Sequence, residues 1–312
     1  MSGKCILVSL ALSAFALSVP AALISDYFEY GGAVADLTTL TTADMTGWGA
    51  NAWTLAAGSS PRYLTTSALP FYSTNIGGVA YAESVAYSNW FNGGQAFGYA
   101  TAVVYRCAVT RALSGPLSGT TWVSLIVTST WIDATQDPFT KDVCLLEING
   151  EAADSFGVIS SGGQADTYRW YVRENGVVTS NNVPYARRVI VLVVAKLETD
   201  YSGSNDRLTL WTFNNGGPLP SGRTAAELGA PRYTGAGDQD IWGSSISSIG
   251  IYLKSQTYTA RDIMMDSLRI SYGSITDDMH VHEVLSGEAI PEPAALGLLG
   301  IAGIAALVRR KR

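Results

Sequence analysis

The residues best suited to chemistry in this chain are few and far apart. Both histidines fall in one short run, "DDMHVHE" (Asp277 to Glu283), where His280 and His282 stand among three carboxylates. On a strand, a His-x-His pair points both imidazoles to one face, and such ligands suit Zn²⁺ or Cu²⁺. The run reads instead as a polar linker, so no metal is assigned to it. Hydrolysis of a glycosidic bond with retention needs two carboxyl groups about 5 Å apart, as a Glu-x-Asp-x-x-Glu strand would present them. No such triplet occurs: Glu147 stands alone, and Glu198 with Asp200 reads as a solvated turn. With both histidines in the linker, no Ser/Cys–His–Asp set assembles in the body. Neither a phosphate loop nor a dinucleotide fingerprint is present. No catalytic residue and no cofactor are therefore expected. "GSNDR" (Gly203 to Arg207) and "GAGDQD" (Gly235 to Asp240) offer the oxygens that Ca²⁺ prefers, but their spacing fits no defined calcium loop and reads as turn chemistry.

Aromatic side chains are the other chemical resource, because the flat C–H faces of sugar rings stack on Trp and Tyr. Trp90, Trp131, Trp170, Trp211 and Trp242 are spread through the body. Most belong to the core, given the area a tryptophan buries, which leaves one or two to meet a glycan.

These residues need a scaffold. Of the 312 residues 47% are hydrophobic, enough for a sizeable core, while only 15% are charged. That is well below the roughly 25% of ordinary soluble domains and suits an extracellular β-protein. Strand-like segments recur between turns: Thr120 to Trp131, Asp142 to Ile148, Arg169 to Asn175, Arg187 to Leu197, Asp206 to Phe213, Ser247 to Ser255 and Met264 to Gly273. Val189 to Ala195 is almost continuously apolar and should form a central strand. Asn149-Gly150 and Asn175-Gly176 predict hairpin turns with positive φ, and a short helix is expected near Thr224 to Leu228. The fold class that follows is all-β, a two-sheet antiparallel sandwich of the jelly-roll kind, as one domain over residues 23–273. Residues 274–289 read as a linker.

Both ends of the chain look like address labels. Residues 1–22 carry Lys4, an apolar stretch from Cys5 to Val19 and small residues at Ala21 and Ala22, the pattern of a cleaved signal peptide. Its removal leaves Cys107 and Cys144, which an oxidising compartment would either join in a disulfide or keep as two buried thiols. Five of the 20 Lys+Arg and one of the 26 Asp+Glu lie in the terminal segments, leaving the body at 15 against 25, net −10. That sign disfavours nucleic acid as a partner. Near the C-terminus, Pro291, Glu292 and Pro293 form a stiff, extended tripeptide. Fifteen uncharged residues, Ala294 to Val308, follow and would make a helix about 22 Å long, short of the roughly 30 Å hydrocarbon layer. Arg309, Arg310, Lys311 and Arg312 close the chain, extend its reach by snorkelling and mark the cytoplasmic side.

"PEP", a short Gly/Leu/Ala-rich helix and a terminal basic cluster, in that order over residues 290–312, resemble the PEP-CTERM sorting signal of Gram-negative bacteria. The resemblance implies cleavage near Pro291-Glu292-Pro293 by a membrane exosortase. It further implies delivery to the cell surface or extracellular matrix and a link to exopolysaccharide. A second resemblance lies in the body: "DYFEYGGAVADLTTLTTADMTGWGANAW" (Asp26 to Trp53), then "WVSLIVTS", "VLVVAKLETDYSGSNDRLTLWTFN" and "DIMMDSLRISYG", are similar in order to secreted concanavalin-A/laminin-G-like domains. That implies a lectin-like sandwich whose closing strand returns beside the first. Together the readings describe an exported, non-enzymatic structural or adhesive protein with weak glycan binding. The alternative is a polysaccharide hydrolase or lyase, which would need carboxylates from distant strands converging in a cleft near an Arg or Tyr.

Overall fold

The computed structural model describes residues 22–26, 28, 47–49, 53–55, 63–64, 72–76, 78–86, 97–98, 107–129, 143–149, 154–160, 167–184, 189–254 and 264–290, and the account below concerns these. Strands β1 to β9 are Ala22–Asp26, Thr54–Leu55, Tyr63–Leu64, Tyr72–Ile76, Val79–Ala86, Phe97–Gly98, Cys107–Leu117, Thr120–Ser129 and Val143–Ile148. Strands β10 to β17 are Ser155–Ser160, Thr167–Glu174, Val177–Pro184, Val189–Ser202, Asn205–Asn214, Tyr233–Thr234, Ile246–Lys254 and Met264–Tyr272. All seven expected strands are present, and a 3-10 turn occupies Ala225–Leu228.

The strands form two large antiparallel sheets. One runs β15-β14-β13-β8-β17-β6-β3, with β1 also paired to β17, and the other β12-β11-β10-β9-β16-β7-β2. As expected, the closing strand returns beside the first, Ala22 opposite Tyr272 and Asp26 opposite Leu268. Strand β13 explains its own apolar run. Val191, Val193, Ala195 and Leu197 face the core between the sheets, while Leu192 and Val194 face a second apolar cluster on the opposite side. A strand buried on both faces has no reason to alternate with polar residues. In β17 a bulge between Asp266 and Arg269, with Ser267 at φ 51°, lets Met265 and Leu268 both point into the core.

The second cluster corrects the linker expectation. Residues 277–286 form a helix, α1 (Asp277–Ser286), that lays Val281, Val284 and Leu285 on the outer face of the first sheet, against Trp122, Ile126, Leu192 and Val194. The acidic surface of the segment hid a three-residue apolar stripe at helical spacing. Thr276 caps its start by accepting the N–H of Met279, and Asp277 and Asp278 sit where the helix dipole favours carboxylates. At the other end Gly287 turns left-handed, at φ 75°. Arg269 donates to the Leu285 carbonyl at 3.0 Å and Ser124 to that of Val284 at 2.6 Å.

Across the core, Asp26 at the end of β1 meets Arg111 of β7 at 3.2 Å, both essentially inaccessible to solvent. Asp26 also accepts the Trp53 indole N–H at 3.0 Å and the Phe28 amide at 2.8 Å, while Arg111 lies 4.9 Å over the Trp48 ring. This ion pair ties the edge of one sheet to the other.

One hairpin expectation changes, and the choice left open for the cysteines is narrowed. Asn175-Gly176 does form a two-residue hairpin, with φ 47° and 79° and Glu174 opposite Val177. Asn149, at φ 57°, instead opens a longer connection from β9 to β10, and Gly150 lies outside the described residues. Cys107 and Cys144 both stand opposite Leu253, one on each side of β16. Two strand spacings put their Cα atoms about 10 Å apart, beyond disulfide reach. Ala22, expected as the last residue of a signal peptide, instead opens β1 opposite Tyr272, so the sheet takes up the chain one residue earlier than expected; residues 1–21, Pro291 to Pro293 and the terminal basic cluster lie outside the described residues. Among the described residues no helix is long and apolar enough to cross a membrane.

Two expected outcomes follow. Arg111→Ala, which leaves a buried carboxylate without its cation, should lower the unfolding free energy in urea by about 3–5 kcal/mol, and a loss under 1 kcal/mol would refute the role of the pair. The 22–290 body, denatured without reductant, should titrate two thiols per chain, and the Cys144 thiol, which burial pushes well above its ordinary pKa, should stay unreactive until the fold opens.

Candidate functional site

Where the two sheets end side by side, the β11–β12 hairpin of one faces β14, β15 and the 235–241 loop of the other. Between them lies a cleft of about 210 Å³ lined by Glu174, Val177, Thr179, Asp206, Tyr233 and the 236–241 loop. Its walls are built by backbone capture. Asp206, 1% exposed, accepts the amides of Asp200 (3.0 Å), Ile241 (2.8 Å) and Trp242 (2.7 Å), which fixes the loop to the sheet. Asn175 at the hairpin tip reaches across to the Gln239 side chain at 3.1 Å and the Asp240 carbonyl at 3.3 Å. The two oxygen-rich loops of the sequence therefore meet here, but Asp206 and Asp240 give their carboxylates to backbone amides, and Asp238 is exposed. Among the described residues no group of three or more His, Cys, Asp or Glu is placed to hold a metal ion.

Glu174 is the unusual group of the cleft. Burial raises its pKa; the Tyr233 hydroxyl, which donates to Oε2, works against this, and the charges of Asp154 and Asp238 add to it. Oε1 is buried and, among the described residues, finds no hydrogen-bond partner, in space that Gly235 leaves open, because a Cβ there would sit 2.8 Å from it. Tyr233 in turn packs on Trp170, with ring centroids 5.8 Å apart, and burial followed by Glu174 pushes its phenol pKa up. Asp238 is exposed. At the rim, Tyr201 is 45% exposed and Val177 65% exposed; the Tyr201 ring stacks on Arg207 at 3.5 Å and closes against Gly237. Arg207 is itself paired to Glu198 at 2.6 Å.

Trp170, Trp211 and Trp242 are all buried, so among the described tryptophans none offers a stacking face. Trp90 and Trp131 lie outside the described residues. Of the two tyrosines at the cleft only Tyr201 is exposed, a feature the sequence hides because Tyr201 sits in what reads as a turn.

A second cluster overturns the expectation that no Ser–His–acid set assembles. Ser271 of β17 donates its hydroxyl to Glu283 Oε2 at 2.5 Å and lies 2.7 Å from His280 Nδ1. On a helix, positions 280 and 282 point to different sides, so His280 is buried while His282 turns to the Gly222 carbonyl at 3.1 Å. With the only hydroxyl proton given to Glu283, the ring must donate from Nδ1 to make its contact. That is the reverse of the base role in a nucleophilic triad. The three side chains are at most 1% exposed. They act as a polar bolt between α1 and the sheet.

Comparison with known proteins finds a family match at the C-terminus. Residues 289–312 match the family model described as the PEP-CTERM protein-sorting motif, so the chain carries a signal for export and surface sorting. Curated protein sequences give no match. Among solved structures, the chain is similar to the CBM2 module of the Lactobacillus casei BL23 phage J-1 evolved Dit, at 13% identity, 83% of this chain, 99% of that one and TM-score 0.39. It is also similar to lectin II from Ulex europaeus (7%, 70% and 100%, 0.31) and to the VIP36 exoplasmic/lumenal domain in its Ca²⁺/Man3GlcNAc-bound form (7%, 62% and 88%, 0.33).

The bolt has a pH signature. Burial lowers the His280 pKa to about 4; Asp277 and the Gly273 carbonyl oppose the shift and Lys196 adds to it. In the unfolded chain the ring titrates near 6.5, so between about 4 and 6.5 the unfolded state binds more proton and acid favours unfolding. Stability should fall by roughly 3 kcal/mol across that window from this group alone. His280→Gln should flatten the slope in pH-dependent urea melts, and an unchanged slope would remove the assignment.

Proposed function

We propose that this is an exported surface or extracellular-matrix protein, structural or adhesive in role, whose sandwich binds a glycan at the edge cleft without transforming it. The observation that carries the reading is the sorting motif at residues 289–312, which sends the folded body outside the cell. Processing by an exosortase belongs to the same reading, as does residence in an exopolysaccharide matrix. The cleft supports the binding half. It has the size of a small subsite, an exposed tyrosine at its rim, and hydroxyl and amide groups in Thr179 and Gln239. Its lining includes three carboxylates, Glu174, Asp206 and Asp238, and no Lys or Arg. A neutral or amino-bearing sugar fits that charge, whereas a polyuronate would be repelled.

One observation favours the enzymatic alternative. Glu174 keeps its proton to higher pH than an ordinary carboxyl and lies close enough to Asp238 to feel its charge, as a glycosidase acid would. Against it, Oε2 is held by Tyr233 and Oε1 is buried, so neither oxygen offers that proton to a ligand in the cleft. Binding without turnover is the better account.

Glycan-array binding by residues 22–290 should select neutral or amino-sugar polymers over uronates. Tyr201→Ala, at an exposed position, should raise the Kd about tenfold with the melting temperature nearly unchanged. Preference for uronates, or release of reducing sugar that Glu174→Gln abolishes, would sink the proposal.

A further inference from the structure

The fold holds the chain up to Ile290, one residue short of Pro291. Gly287 turns the chain back, its N–H bonding the Glu283 carbonyl at 2.9 Å, and the Ile290 N–H donates to Glu283 Oε1 at 2.8 Å. Glu283 is 1% exposed, and its other oxygen is occupied by Ser271. The side chain that locks α1 to the sheet therefore also grips the last residue before the processing motif.

Chain geometry makes this contact matter. The apolar segment begins at Ala294, four positions on, so at most about 14 Å of extended chain separates the Ile290 Cα from it. The headgroup layer takes up roughly 5–7 Å of that. Enzymes that recognise peptides in extended form pair with main-chain groups over several residues. Here the Ile290 N–H on the body side of Pro291 is engaged by the fold, and on the reading that residues 294–308 insert into a membrane, little free chain remains on the other side.

Resting on the reading that an exosortase processes the motif, we infer that α1 and Glu283 form a latch, and that the motif is withheld until the 287–290 tail lifts off. Opening is local. It breaks the Glu283–Ile290 contact and the Gly287 turn but leaves Val281, Val284 and Leu285 buried, so the body stays folded while it is processed. Glu283 is thus a positioning residue for a reaction it does not touch.

The test is pulse–chase cleavage of the full chain in exosortase-bearing cells. Four versions are compared: wild type, Glu283→Gln, six Gly/Ser residues inserted between Ile290 and Pro291, and the insertion combined with Glu283→Gln. The insertion should speed cleavage about tenfold by freeing the motif while the latch stays shut. Glu283→Gln alone should speed it about threefold, as expected for weakening one hydrogen bond to a charged group, and should add nothing to the insertion. An insertion that leaves the rate unchanged or lower overturns the latch. So does further acceleration by Glu283→Gln on top of the insertion, which would mark general loosening, checked by melting curves of the purified variants. If no version is cleaved, the exosortase reading itself falls and the latch falls with it.

Discussion

The first sheet is apolar on both faces, and most of the architecture answers that constraint. Strand β13 alternates its side chains between the core and the outer cluster, so one face is served by the second sheet and the other needs a separate cover. A sheet face left with Trp122, Ile126, Leu192 and Val194 in water would be an aggregation surface. Helix α1 supplies the cover, together with Leu219 and Leu228 from the long connection after β14. At about 1.5–3 kcal/mol for each buried aliphatic side chain, Val281, Val284 and Leu285 alone contribute on the order of 5 kcal/mol before ordering costs. The helix is therefore part of the domain, and the domain ends only where the sorting motif begins.

Polar groups inside this arrangement act as fasteners. Asp26 and Arg111 are removed from water, and burial of such a pair is favourable only when the remaining oxygens and N–H groups are also satisfied. Trp53 and Phe28 satisfy the Asp26 oxygens and the Trp48 ring lies against the Arg111 guanidinium, so the pair sets the position of β1 against the opposite sheet more than it adds net stability. The same logic recurs at α1. Asp277 accepts Trp122 Nε1 at 3.1 Å and Lys196 Nζ at 2.8 Å; burial would raise its pKa, but these two donors outweigh burial and hold it low. A helix that would otherwise slide along a flat apolar face is pinned at its start by Asp277 and at its end by Arg269.

Much of this was legible from residues alone where one period dominated. The seven strands announced themselves by β-branched runs, and β13 showed its double burial as an unbroken apolar string. Helix α1 escaped because "DDMHVHEVLS" has too few apolar residues for a moment to emerge, and its function as a cover depends on which face of the sheet remains bare. His280 and Glu283 escaped for the same reason. On an extended linker they have no partners, whereas one helical turn stacks both over Ser271. Local spacing cannot encode the Cys107–Leu253–Cys144 register either, because it is set by which strand enters between two others. The cleft was half visible: its two Asp/Gly loops stood out as turns, but their meeting, and the enclosure of Glu174 between them, follows from sheets ending edge to edge.

The separation of duties between the two polar clusters bears on what such a body can do outside the cell. At the cleft, Asp206 and Asn175 spend their hydrogen bonds on the 235–241 loop and the chain around it, which makes a rigid wall with Tyr201 and Asp238 exposed at its edge, an arrangement that would cost a ligand little conformational entropy. At α1, Ser271, His280 and Glu283 are sealed, and their chemistry is directed at holding the helix. A protein exposed to a fluctuating exterior benefits from that division. Acid that protonates His280 would first loosen the layer carrying the sorting tail, while the cleft edge, tied to backbone amides through Asp206, has no comparable histidine to titrate among its lining residues. Loss of the third layer and loss of the cleft edge are thus expected to be separate events, because different side chains hold them and no hydrogen bond among those described joins one cluster to the other.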